Sequence, residues 1–369
     1  MGFSPKNFSI SIFIYYISDT MKIPLVFDEK NPKYRLLSSI FIIIDSPECK
    51  RVLAQNGLKP INSVINLIKI RFISMFFEID IKYVINEVNN SSELRKYWGF
   101  KYQLDYNNLS KLLSKFDSIQ ILEFVLKFIN KQFIPGKRGR KTIIVDATSI
   151  MLDINLDKKY YNEEELDEKN FKIGFSQTHG HFIGGKLTLT IDFHTGQPLA
   201  MLIHQGAYSD AKIFPEMLEE LKRRRIISKK DMIMDDRGYV SYDNYEKGVM
   251  EYEIIPFIFP RKNMRLDKIA GCFNYLLEVY EGNLQLKKTL EDVTSTTMIF
   301  LKHWKLFKPI RACIEHFFKL MKEGLGYSTY HVYTEEAMKK TAYLNVLLTA
   351  LTIKEVTFDM KTIQRLSEM

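Results

Sequence analysis

Two short apolar runs that each end in aspartate set the tightest limit on how this chain folds. Thr142-Ile-Ile-Val-Asp146 and Asp231-Met-Ile-Met-Asp-Asp236 read as buried strands, the first entered through a glycine-containing turn and the second ended by Gly238. A carboxylate at the end of an apolar strand is costly to bury unless it is paired or binds a metal. One such aspartate alone reads as a solvated strand end or a helix cap; two on strands of one sheet turn the reading toward a shared site. Adjacent strand residues point to opposite faces, so the pattern alone leaves both Asp235 and Asp236 open as the second acid.

Around these strands the pattern predicts an α/β sheet. Lys186–Asp192 and Pro198–Ile203 form a hairpin closed at Thr195-Gly196, and Asp210–Arg225 is an amphipathic helix. Ile254–Phe259 is a further strand whose Pro256 suits an edge position. Residues 262–306 read as an irregular insertion, and a long helix begins near Pro309. No repeat of 20–50 residues interrupts this order. Residues 153–169 hold seven Asp or Glu against three Lys and read as an exposed loop.

The N-terminal third differs. Residues 1–50 are apolar without clear period, whereas residues 60–133 carry helical spacing that stops at Pro135-Gly136. The expected division is a helical region over residues 1–134 and an α/β domain over residues 135–369. Residues 1–134 hold 18 Lys and Arg against 12 Asp and Glu, so they carry +6 of the chain's +9. That excess fits a polyanion partner, nucleic acid first and membrane surface second. A helical module that binds DNA and a bundle with a solvated basic face both suit it. The run Lys137-Arg138-Gly139-Arg140-Lys141 is either a phosphate-contacting loop or a solvated linker.

Composition excludes several classes. Hydrophobic residues at 46% and charged residues at 26% exclude a disordered chain. Three distant cysteines, Cys49, Cys272 and Cys313, argue against a disulfide framework or a cysteine zinc site. The apolar run over residues 8–18 is shorter than the ~20 residues a membrane span needs and is broken by serines. With its weak basic flank it does not read as a signal peptide either, so a cytoplasmic protein is expected, with Met21 an alternative start.

The long C-terminal helix adds a third acid. At about 100° per residue, Arg311, Glu315 and Lys322 share one face, flanked by Lys308 and Lys319, while Ile310, Cys313, Phe317, Leu320 and Met321 take the other. A solvated, salt-bridged face explains such a stripe. A two-metal phosphoryl-transfer site also needs this set, carboxylates for the ions and cations for the phosphates.

At these residues the chain resembles the DDE transposases of bacterial and archaeal insertion sequences, especially the insertion-sequence-4-like group. Their catalytic-helix signature, Tyr-(2)-Arg-(3)-Glu-(6)-Lys, is matched by Arg311, Glu315 and Lys322, with Lys308 in place of the tyrosine. Their Asp-x-Gly-Tyr motif is present as Asp236-Arg237-Gly238-Tyr239, which selects Asp236 over Asp235 by resemblance, and the first acid matches Asp146 in Val-Asp-Ala-Thr. Gly206-Ala-Tyr-Ser-Asp210 is similar to the family's segment leading into its first core helix. The resemblance covers roughly residues 140–350.

It implies a ribonuclease-H-like mixed sheet flanked by helices, preceded by an all-helical N-terminal domain. It further implies that Asp146, Asp236 and Glu315 bind two Mg²⁺ ions, with Mn²⁺ an alternative, for DNA hydrolysis and strand transfer. Double-stranded DNA, as terminal inverted repeats and target, would be the partner, engaged by a synaptic homodimer at a prokaryotic nucleoid. DNA contacts are expected from Arg311, Lys322, Lys308, Lys319, Arg237, Tyr239, Lys137, Arg138, Arg140 and Lys141. Two alternatives stay open: a catalytically inactive or domesticated DNA-binding derivative, and a nuclease without strand transfer. His179 and His181 invite a metal reading but fit surface residues better, and Trp304 fits a core residue better than a wedge between bases.

Overall fold

The structure is a computed structural model. It describes residues 31–133, 139–152, 172–176, 180–280, 282–326, 329–330, 332 and 334–356. Seven helices come first: α1 (Pro32–Ile44), α2 (Pro47–Gln55), α3 (Ile61–Phe76), α4 (Ile81–Asn90), α5 (Ser92–Tyr97), α6 (Tyr106–Ser114) and α7 (Ser118–Gln132). Polar side chains start most of them. Asn31, Ser46, Asp80, Ser91, Asp105 and Asp117 each accept a hydrogen bond from a backbone N–H of the helix they precede. Asp117 and Gln120 complete a reciprocal capping box on α7. The stretch left unassigned from sequence is thus partly α1 and α2. Ile40, Phe41 and Ile44 of α1 are buried amid a nearly continuous apolar run, which hides the helical period.

The sheet follows, with β1 (Thr142–Leu152), β2 (Lys172–Ser176), β3 (Gly180–Asp192), β4 (Pro198–Gln205), β5 (Met232–Asp235), β6 (Ile255–Ile258) and β7 (Thr329–Tyr330). Its order is β2-β3-β1-β5-β6, with β4 paired to β3 and β7 to β1. β1 runs antiparallel to β3 and parallel to β5 and β7, so the sheet is mixed. β6 ends the order, as Pro256 requires. Between and after these strands lie α8 (Asp210–Arg223), α9 (Tyr242–Met250), α10 (Leu266–Glu278), α11 (Leu284–Lys302), α12 (Lys308–Lys319) and α13 (Glu335–Val356).

Residues 262–306 therefore hold two helices where the sequence read as irregular. α11 carries a threonine-rich stretch, a poor intrinsic helix former. Its hydroxyls turn back onto the helix, Thr294 Oγ1 donating to Leu290 O and Thr297 Oγ1 to Val293 O, both at 2.8 Å. Packing settles the helix: Leu290, Val293 and Leu301 are buried beside Ile269 and Phe273 of α10.

Side chains alternate across β1 into two cores. Ile143 and Val145 join a core with α8, α9, α10 and α11, whereas Ile144 and Ile150 join one with α12, α13 and the N-terminal helices. α13 packs along α7, and Glu336 in its first turn accepts hydrogen bonds from Ser118 N at 2.9 Å and Ser118 Oγ at 2.8 Å. The helical region and the sheet thus close over a common interior. Lys69 of α3 is buried, and its Nζ donates to Asp45 Oδ2 at 2.5 Å and Trp98 O at 3.0 Å, which compensates its desolvation.

Phe128 of α7 is fully buried in this shared interior and stacks on Phe124 at 5.7 Å. Phe128→Ala is expected to lower stability by about 3–5 kcal/mol in denaturant titration, and helix and sheet signals should shift together. A shift confined to the helical signal would contradict a common interior.

Candidate active site

The register of the two parallel strands places the acids. Val145 of β1 lies opposite Asp235 of β5, so Asp235 shares the face of Val145 and the next pair of residues, Asp146 and Asp236, turns to the other face. β5 ends at Asp235, and Asp236 precedes a single 3₁₀ turn, Arg237–Tyr239. Asp146 is not at a strand end, as the sequence pattern had it. β1 continues six residues further to Leu152 because it keeps β3 as a partner beyond the point where β5 stops. The acid sits where one of its neighbouring strands ends.

α12 packs beside β1 and brings the third carboxylate. Pro309 opens it in the first turn, and Cys313, Ile314, Phe317 and Phe318 bury its apolar side. On the other side the Arg311 guanidinium spans two acids, Nη1 donating to Asp146 Oδ2 at 3.3 Å and Nη2 to Glu315 Oε1. Arg311 and Asp146 are 17% and 19% exposed, whereas Glu315 is 51% exposed. Asp146 Oδ1 also accepts from Ala147 N at 2.8 Å.

The helix then widens into a π turn over Leu320–Gly324 that holds Lys322. Lys322 Nζ reaches Ser149 Oγ of β1 at 3.4 Å, and burial lowers its pKa from the ordinary lysine value. Lys308 is exposed, with its ammonium 4.9 Å above the ring of Trp304, which packs against Phe259 at 5.5 Å. Lys319 is half-buried beside Glu323 at 3.9 Å.

Burial pushes the Asp146 carboxyl up to about 6; Arg311 and the Ala147 N–H oppose the rise, and the charges of Asp236 and Asp210 add to it. Asp235 is fully buried, and both its oxygens lack a hydrogen-bond partner among the described residues. Burial, then the charges of Asp146 and Asp236, raise its pKa well above the usual carboxylate range.

Sequence reasoning gave no role to Asp210 or Lys186. Asp210 opens α8 and accepts from Lys186 Nζ of β3 at 2.9 Å, and the same ammonium donates to Tyr208 O at 2.7 Å. Gly238 lies against Asp210: a Cβ there would come within 2.8 Å of Asp210 Oδ2. The glycine of Asp236-Arg-Gly-Tyr239 thus makes room for a fourth acid. Its trace in sequence was the Gly206–Asp210 segment.

Other expected contacts fall elsewhere. Tyr239 is 1% exposed inside the core and offers nothing to DNA, because the turn after Asp236 folds its ring inward. Arg237 is exposed, and its carbonyl accepts from Arg261 Nε at 3.1 Å. Arg140 pairs with Asp292 at 3.2 Å, and Lys141 Nζ donates to Ile226 O. Both precede β1, five or six residues before Asp146, hence about 17–20 Å from it at ~3.3 Å per residue. Lys137, Arg138, His179 and the acidic segment 153–169 lie outside the described residues. His181 is exposed and meets Phe175 edge to face at 5.3 Å.

Among the described residues, no three His, Cys, Asp or Glu side chains are grouped so as to hold one ion. The donor chemistry nonetheless fits a hard divalent cation: the acids offer only oxygen, and Asp146 lies where negative charge is in excess. Arg311 supplies part of the missing positive charge, bridging the acids that an ion would share.

Residues 137–351, more than half of the chain, match the family described as Transposase DDE domain. A comparison with curated proteins gives no match. The cryo-EM structure of the piggyBac transposase synaptic complex with hairpin DNA is similar with a TM-score of 0.41 and 10% identity, over 91% of this chain and 78% of that one.

The raised pKa of Asp146 has a sign that stability can read. The native carboxyl keeps its proton up to about pH 6 and the unfolded one only to 3.8, so the folded state gains stability as the pH falls through that window. Asn carries no charge to bury. Asp146→Asn is therefore expected to raise the melting temperature of the chelator-treated protein at a pH of about 7.5, with the advantage shrinking toward a pH of about 4. An advantage that grew on acidification would contradict the burial account.

Proposed function

The chain belongs to the DDE transposase family, and from that premise we propose that it binds the ends of a mobile DNA element and cleaves and joins DNA there. The observation that carries the reading is the Arg311 bridge, which ties Asp146 of the sheet to Glu315 of α12, with Asp236 just past the end of the adjoining β5. Asp146, Asp236 and Glu315 would hold the divalent ions, two Mg²⁺ or Mn²⁺. Bound there, the ions supply Lewis-acid activation of the phosphate and of the attacking oxygen.

The protein's own groups do the remaining work. Asp146, only 19% exposed, is held by the Ala147 N–H and by the strand on which it sits, so its oxygens are fixed before any ligand arrives. Arg311 balances Asp146 and Glu315, and is released to pair with a phosphate once they have another counter-charge. Lys322 lies over Ser149 on the same strand and can meet the next phosphate. Lys308, Lys319 and Arg237 offer further cations for the backbone on either side. No covalent protein–DNA intermediate is required, because water or a DNA 3′-hydroxyl is the nucleophile. The helices ahead of the sheet, with most of the net positive charge, are assigned to recognition of the element's ends, and two copies to synapsis of two ends.

The test is substitution at constant shape. Asp146→Asn, Asp236→Asn and Glu315→Gln should each abolish cleavage of an end-bearing duplex in Mg²⁺, by 10³-fold or more, yet leave end binding within about threefold in gel-shift titration. Arg311→Ala and Lys322→Ala should instead weaken binding in a salt-dependent way and slow cleavage only partly. Wild-type cleavage by the Glu315→Gln protein would remove Glu315 from the site and make its face of α12 an ordinary solvated one.

A further inference from the structure

The end of the sheet remote from the carboxylates carries a cleft of about 720 Å³ whose charge the proposed chemistry does not use. Its cations come from three places: Lys127 on α7, Arg140 and Lys141 before β1, and Arg223, Arg224 and Arg225 at the end of α8. We propose that this cleft binds the phosphate backbone of double-stranded DNA, as a second contact separate from the one at the acids. The assignment rests on the DNA-processing reading above.

Two rulers set the separation. From Lys141 on the cleft wall the chain reaches Asp146 after five residues, about 17 Å. α8 starts at Asp210, beside the acids, and reaches the arginines after 14 residues, about 21 Å at 1.5 Å each. A phosphate in the cleft is therefore not the one at the acids.

Internal pairing does not exhaust the charge. Arg223 and Arg224 both bond to Glu123 and Glu220, a neutral set of two and two with contacts of 2.6–3.1 Å. Lys127 donates to the neutral Asn56 Oδ1 at 3.0 Å, and its one acidic partner among the described residues is this same Glu123, at 3.6 Å. Asp192 on the cleft wall turns its Oδ1 into its own loop, accepting from His194 N, Thr195 N and Thr195 Oγ1. Arg140 shares Asp292 with Lys230. Arg225 is exposed and has no ion pair among the described residues.

Arg225 also stands where backbone chemistry favours a different residue. The turn that ends α8 has Arg225 N bonded to Lys222 O and Ile226 N to Leu221 O, both at 2.9 Å, and Arg225 adopts φ of +57°. Glycine is the usual residue at this left-handed position, because any Cβ is strained there. Helix-dipole compensation accounts for cations in the last turn, but not for a third arginine beyond it in a strained backbone. A side chain needed for binding does.

The test exploits that strain. Arg225→Gly relieves the backbone and removes the charge, so its melting temperature should equal or exceed that of the wild type while DNA binding weakens. Binding of the full-length protein to a 40-base-pair duplex of unrelated sequence is followed by anisotropy against salt in chelator. With Lys127→Gln added, the slope of log K against log salt should flatten by about 2, since each phosphate contact contributes ~0.9. Arg225→Lys should keep the wild-type slope. Cleavage of a short end duplex by the Arg225→Gly single variant should stay within twofold of wild type. An unchanged slope in the double variant overturns the cleft while leaving the transposase reading intact. A flattened slope with equal loss of short-duplex cleavage overturns its separateness from the acids. If the wild type neither cleaves nor binds DNA, the parent reading has failed and the cleft with it.

Discussion

The parallel pairing of β1 with β5 is the contact from which the rest of the site follows. Opposing Val145 to Asp235 fixes which of two adjacent aspartates joins Asp146, and the end of β5 opens the sheet at that level. A slip of one residue would turn Asp235 to the acid face and Asp236 to the buried face that Val145 occupies. The apolar neighbours that enforce the register are thus as much a part of the site as the acids. Asp235 shows the consequence of that register. It is a fully enclosed carboxyl without a hydrogen-bond partner among the described residues, and burial, then the charges of Asp146 and Asp236, raises its pKa well above the usual carboxylate range.

Much of this was legible in the sequence, for identifiable reasons. Strand runs bounded by glycine, the Thr195-Gly196 hairpin and the one-sided face of α12 follow local rules and are all present, although β1 runs six residues past Asp146 and β3 begins six residues before Lys186. The order of acids along the chain was readable as well, since motif spacing needs no tertiary knowledge. What failed depended on long-range packing. α11 formed despite its threonines because α10 and the sheet cover its apolar side, and α1 hid its period in a run of isoleucines. Tyr239 lies next to exposed Arg237 yet is buried, which only the path of the chain after the 3₁₀ turn decides. The proximity of Asp210 to Gly238 joins residues 28 apart on different elements and leaves no local pattern.

Electrostatics divides the molecule into two regions with opposite problems. Around Asp146 negative charge is in excess, and Arg311, Lys186 and Lys322 are placed to offset it. At the far end of β1 and α8 positive charge is in excess, and Glu123 and Glu220 offset only part of it. The same two elements span both regions, so the polarity of the sheet domain is built along its strands and helices rather than between separate parts.

The packing of α13 against α7 bears on how the protein is made. Residues 335–356 complete an interior to which the first helices contribute from residue 34 onward, so that interior stays open during synthesis until translation has passed residue 356. The helices of residues 32–132 are made before this partner and wait, with apolar surface uncovered, for residues 335–356 to arrive. Maturation of the helical third is therefore coupled to completion of the sheet rather than preceding it.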